Sequence, residues 1–183
     1  MIGPSESPDL WAFLGSLNYD DLLTGTVAAI EPYGVFVALD DGPPHPLFPG
    51  VGFITYPELS WHTFDDASEV VRVGQRVSCR FLQFDTTNGE ARLSLRGTQP
   101  DPFQAFANRT AVGQQLTGRI KKLLPFGVIV EVADGIEAVV HRNVLATDGR
   151  ECTTRVGAPL TLEVTAIDRA RRTISLSHRP PGV

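Results

Sequence analysis

Thr24-Gly25-Thr26-Val27-Ala28-Ala29-Ile30-Glu31-Pro32-Tyr33-Gly34-Val35-Phe36-Val37 returns 93 residues later, from Gly25 to Gly118, as Thr117-Gly118-Arg119-Ile120-Lys121-Lys122-Leu123-Leu124-Pro125-Phe126-Gly127-Val128-Ile129-Val130. A repeat of this length predicts two copies of one domain. In each copy an aromatic residue directly precedes a glycine at the point where one strand would turn into the next. An aromatic in that place can stack a base of a single-stranded nucleic acid.

Working outward, the first copy reads as five strands, near 22–30, 34–39, 52–56, 76–84 and 91–96, with a short helix near 57–61. In the second of these Val35, Val37 and Leu39 share one face, while Phe36 and Ala38 take the other. Phe36 is therefore expected as an exposed aromatic beside Tyr33. The second copy repeats the plan near 115–123, 127–132, 137–141, 159–167 and 173–177. Glycine within strand-like runs, together with five short strands per copy, predicts a mainly β protein of two tandem five-stranded OB-type barrels.

The expected organisation is an N-terminal helical extension over 1–20, a first barrel over 21–97, a linker over 98–112 and a second barrel over 113–183. In the extension, Leu10, Phe13, Leu14 and Leu17 recur at helical spacing and would pack on the first barrel. Asp101 before Pro102 opens a short helix in the linker, where Phe103 and Phe106 share a face that could dock one barrel onto the other. The first copy alone carries the insertion Pro43-Pro44-His45-Pro46-Leu47-Phe48-Pro49-Gly50-Val51, read as a rigid tip that is either inert or a private contact surface.

The bulk composition narrows the function classes. The 183 residues are 42% hydrophobic and 20% charged, with a net charge of −5. No apolar run reaches the length of a membrane span and the N-terminus lacks signal-peptide features, so the expectation is a cytoplasmic protein with no membrane partner. The net charge conceals an asymmetry. Through Gly97, thirteen acids stand against five arginines, a balance of −8; from Thr98 onward eleven basic residues stand against eight acids, or +3. The second copy is the better electrostatic match for RNA phosphates.

Cys79 alternates with Val77 and Phe81 as a core residue, whereas Cys152 reads as a free thiol in a loop. Neither has the spacing of a metal site, and no metal or cofactor is predicted. Asp40-Asp41 and Asp65-Asp66 read as solvated turns without basic companions. His45, His62 and His178 read as unclustered surface side chains. No nucleophile–base set or phosphate-cradling loop is present, so no catalytic residue is predicted and the chain is read as a non-enzyme.

Gly25 to Val37, Gly52-Phe53-Ile54-Thr55-Tyr56-Pro57-Glu58-Leu59-Ser60, Val73-Gly74-Gln75-Arg76-Val77 and Arg92-Leu93-Ser94-Leu95-Arg96 together resemble the S1 RNA-binding domain, an OB-fold. The second copy resembles it through Lys122 to Gly127, Gly135 to His141, Ile167-Asp168 and Ile174-Ser175-Leu176-Ser177. The linker is similar to the joint between repeats of ribosomal S1 proteins of the actinobacterial type. The resemblance runs from about Leu22 to Arg179.

It implies RNA lying across one barrel face, contacted by two aromatics around the first turn, a His on the third strand, an Asp ending the fourth and an Arg starting the fifth. Carried over, the first copy offers Tyr33, Phe36, Asp85 and Arg92, with Thr55 in place of the His. The second offers Phe126, His141 and Asp168. Ile129 replaces its second aromatic, and Thr173 stands at the Arg position beside Arg172. Arg119, Lys121 and Lys122 add positive charge near Phe126. Asp85 and Asp168 also sit at hairpin entries, where Asp serves turns.

Two functions remain open on the sequence. One is a single-stranded RNA-binding protein of translation or mRNA handling, led by the second copy. The other is a module that docks the ribosome or another RNA-processing protein through the acidic first copy.

Overall fold

The computed structural model describes residues 2–145 and 155–178. The chain divides into two compact units, Met1–Pro100 and Asp101–Val183. Cys152 lies outside the described residues.

The first unit opens with helix α1 (Pro8–Ser16), whose leading Pro and Asp9 suit a helix N-terminus. Leu10 and Leu14 are buried in the core of the first barrel, with Phe13 and Leu17 packed against it, as their spacing predicts. Each buried leucine contributes about 1.5–3 kcal/mol. Strands β1 (Leu22–Glu31), β2 (Gly34–Leu39), β3 (Gly52–Thr55), β4 (Arg76–Asp85) and β5 (Glu90–Ser94) form a closed barrel in the order β1-β2-β3-β5-β4. All ladders are antiparallel except the β3–β5 pair that closes it. The helix expected near 57–61 is a single 3₁₀ turn, Tyr56–Glu58.

The second unit begins with α2 (Pro102–Arg109), where the Asp101 carboxylate accepts from the Phe103 N–H at 2.9 Å as the N-cap. Phe103, Phe106 and Ala107 are buried in the core of this second barrel. The face expected to lie between barrels therefore serves the core of one. Strands β6 (Gln115–Leu124), β7 (Gly127–Ala133), β8 (Ile136–His141), β9 (Pro159–Asp168) and β10 (Thr173–His178) pair in the order β10-β9-β6-β7-β8, with a short helix α3 (Arg142–Leu145) after β8. The end strands β8 and β10 pack together, curling the sheet towards a barrel.

One irregularity positions everything that follows. The β1–β2 ladder slips by one residue between Val27 and Ala29, and the β6–β7 ladder slips at the equivalent point, between Ile120 and Lys122. Each is a β-bulge, which inserts one residue and reverses the facing of those after it. Ala29 thereby pairs with Phe36, and Lys122 with Ile129, on the outer face.

Candidate nucleic-acid interface

The outer face of the first barrel is built around a ladder row: Ala29, Phe36, Phe53 and Arg92 are successive cross-strand partners. Phe36 lies outside the barrel core, as alternation predicts, but it is not exposed. Only 2% of it reaches solvent. The cause is the proline-rich insertion, which lays Phe48 on Phe36 at 5.3 Å and 19° between ring planes. Phe53 closes the other side at 5.0 Å. Tyr33 remains 61% exposed, stacked on Phe53 at 6.0 Å and edge-on to Phe36 at 6.2 Å.

A Cβ at Gly34 would overlap the Phe53 ring, and one at Gly127 would overlap the Val140 carbonyl oxygen. Only glycine lets the aromatic before it sit so close to the third strand.

His45, expected on the surface, is buried and holds the insertion in place. Its Nδ1 accepts from the backbone N–H groups of Leu47 and Phe48, both at 3.1 Å, and its Nε2–H donates to the Asn88 carbonyl at 2.8 Å. That pattern fixes a neutral Nε2–H tautomer.

Asp85 is occupied within the fold. One carboxylate oxygen accepts from the Thr87 and Asn88 N–H groups, and the other accepts from Arg92 at 2.8 Å. The Arg92 guanidinium holds the Asp85 carboxyl below the usual carboxylate range. Arg92 also lies 4.8 Å from the centre of the Phe53 ring and 3.5 Å from Glu90. Burial pushes the Glu90 carboxyl up, against the pull of Arg92. Tyr33, Phe36, Phe48, Phe53, Thr55, Asn88, Glu90 and Arg92 together line a recess of about 290 Å³.

The second barrel has no such insertion between β7 and β8, and none of its described residues covers the outer face as Phe48 covers Phe36. Phe126 is 53% exposed and lies 5.7 Å from the His141 ring. Lys122, Ile129 and Val139 form the next row, the counterpart of Ala29, Phe36 and Phe53. Lys122 has no ion-pair partner among the described residues, and Arg119 is likewise exposed without one. Lys121 differs. Its ammonium is held between Glu131 and Glu137, which raise its pKa and neutralise the charge expected of it.

Asp168 repeats the turn role of Asp85, accepting from the Arg171 N–H at 2.9 Å. Arg172 occupies a left-handed conformation, φ 54°, in the turn position where the first barrel has Gly89 at φ 66°. Its guanidinium forms a two-pronged pair with Asp101 at 2.8 and 2.9 Å, beside the Phe103 ring, and so anchors α2.

The ladders also correct the place given to Thr173. Asp168 pairs with Thr173 as Asp85 pairs with Glu90, so Thr173 is the counterpart of Glu90, and Ser175 that of Arg92. Asp40 also differs from expectation, forming a two-pronged pair with Arg76. Sequence reading missed Phe48, Phe53, His45, Glu90 and Val139. Only the aromatic within the proline-rich insertion carried a signal.

Two small five-stranded barrels, each with an aromatic leading into its second strand beside an outer face, define a tandem OB-type binding protein. The S1 RNA binding domain matches residues 16–96 and 109–179, and the chain belongs to that family. The small ribosomal subunit protein bS1 of Mycobacterium tuberculosis (strain ATCC 25618 / H37Rv) is 39% identical over 169 residues, which cover 90% of this chain and 33% of that protein. The protein of the same name from Neisseria meningitidis serogroup B is 29% identical over 173 residues, covering 92% and 29%. The chain thus spans about a third of the length of these relatives. Among solved structures, the a/eIF2alpha–aDim2p–rRNA complex from Pyrococcus horikoshii matches with a TM-score of 0.38 at 24% identity, covering 50% of this chain and 52% of that one.

Proposed function

We propose that this chain binds single-stranded RNA in a process linked to translation, with the outer face of the second barrel as its principal site. The observation that carries the reading is the exposed Phe126–His141 pair, one row along from Lys122, which has no ion-pair partner among the described residues. A base stacked on Phe126 would contribute about 1–3 kcal/mol, and Lys122 and Arg119 would take phosphates. His141 would hydrogen-bond a base edge or a 2′-hydroxyl, which favours RNA over DNA. Membership of the S1 family and similarity to bS1 proteins support both the ligand class and the setting. The reading assigns binding roles to these residues and no catalytic step.

The first barrel supports a second reading. Its balance of −8 repels a phosphate chain, and Phe48 occupies the space above Phe36. Docking of a ribosomal or RNA-processing protein by this half is compatible with RNA held by the other.

The test is a titration of the full chain with fluorescent single-stranded RNA at several salt concentrations. The reading predicts affinity falling with salt, with a log–log slope of about −0.7 for each phosphate contacted. Binding that salt leaves unchanged, or no binding at all, would overturn it.

A further inference from the structure

We infer that the recess on the first barrel is a pocket for one nucleobase bearing an exocyclic amino group, guanine above all, selected by Glu90. The recess lies on the face that the S1 resemblance gives to RNA, and what is inferred beyond that is the choice of base by Glu90, which can fail while RNA binding by the second barrel stands.

The walls are aromatic and the rim is polar. Phe48 on Phe36 and Tyr33 on Phe53 form its aromatic walls, and the space of about 290 Å³ is at the small end of ligand pockets. A planar base can stack against such a wall. Glu90 is 97% buried by residue surface and lines this recess, yet its side chain makes no hydrogen bond among the described residues. Its sole ionic neighbour there, Arg92 at 3.5 Å, gives its short bond to Asp85. A carboxylate that lines the recess without a hydrogen bond to the fold offers both oxygens to a donor placed there.

Thr55 and Asn88 line the same recess, and their side chains make no hydrogen bond among the described residues. Guanine presents two adjacent donors, the ring N1–H and the 2-amino group, which match the two oxygens of a carboxylate. Its O6 can accept from Asn88 or Arg92. Adenine and cytosine each present one amino donor. Uracil places a carbonyl on either side of its single N–H, and those oxygens would face the negative charge. The surrounding −8 balance favours entry of one base over passage of a phosphate chain. Among the described residues of the second barrel, Thr173 stands at the place of Glu90 and the short turn between β7 and β8 supplies no counterpart of Phe48.

Full-length protein labelled with ¹⁵N, titrated with each 5′-mononucleotide and followed at the amides of Gly34, Thr55, Asn88 and Gly89, tests this. GMP should bind at least about tenfold more tightly than UMP, the discrimination expected of a two-donor match. Glu90→Gln should erase that preference, whereas Phe48→Ala should weaken all four nucleotides alike. Comparing GMP with UUGUU and UUUUU then separates a free nucleotide from a base within RNA: tighter binding of UUGUU identifies the strand as the source, and equal or weaker binding identifies the free nucleotide. UMP binding as well as GMP, or shifts confined to second-barrel amides, would overturn the inference. The comparison in the unsubstituted protein needs no variant to fold.

Discussion

The ring of Phe48 lies parallel to that of Phe36, 5.3 Å away, and removes from solvent an aromatic that its strand presents outward. Phe48→Ala should therefore uncover Phe36 and cost about 1–3 kcal/mol, less than a fully buried Phe because Phe48 is itself half-buried. Chemical denaturation of the two proteins measures the loss. Equal stability would show that the stack contributes nothing.

The hold on that loop passes through one imidazole. ¹⁵N spectra of His45 at neutral pH should report a protonated Nε2 and a bare Nδ1, the tautomer its three partners require. His45→Ala should release the Leu47 and Phe48 N–H groups to fast hydrogen exchange while leaving β1 and β4 protected. Unchanged protection in the loop would contradict the anchoring role.

Two neighbouring carboxyls should respond to pH in opposite directions. Asp85 is held below its ordinary value of 3.8 by Arg92, so its contribution is present above that value and is lost as pH falls through the lower folded one. Asp85→Asn should cost about 1–3 kcal/mol at neutral pH and less in acid. Glu90 is raised above 4.5 by burial, so its ionisation destabilises the fold increasingly as pH rises through the folded value. Glu90→Gln should thus gain stability at neutral pH and little below pH 4.5. Denaturation midpoints across pH distinguish the two, and parallel curves would refute the assignment.

Burial raises the Cys79 thiol to about 12, leaving almost no thiolate at neutral pH. In a Cys152→Ser background, a thiol-specific reagent should react only when denaturant is added. Rapid labelling of the native protein would contradict the core position of Cys79.

The bulge makes Lys121 and Lys122 unequal. Lys122→Ala should weaken RNA binding several-fold and lower the salt slope by about 0.7, while Lys121→Ala, whose charge is already spent on Glu131 and Glu137, should change neither much. Equal effects of the two substitutions would contradict this division.

These cases also mark what was legible in the sequence. Alternation from Val35 to Leu39 gave the correct facing of Phe36, and the spacing of Leu10 and Leu14 placed α1 on the first core. Exposure was not legible, because the residue covering Phe36 arrives from an insertion twelve positions away. The facing of Lys122 was hidden by a bulge, which is a property of the ladder and leaves no mark in a pattern of period two. Thr173 was misplaced for a similar reason. Leu93-Ser94-Leu95 and Ile174-Ser175-Leu176 align as text, but counting from Asp85 and Asp168 moves the register by two. Glu90 entered only the charge balance, and its burial at the recess left no mark in the sequence.

The central claim is that RNA is stacked on the second barrel. Its most direct test is the affinity of the full chain for oligo-uridine, compared between Phe126→Ala and Tyr33→Ala. The account predicts a loss of about 1–3 kcal/mol for Phe126→Ala and almost none for Tyr33→Ala. Undiminished binding by Phe126→Ala, with the loss falling on Tyr33→Ala, would contradict it.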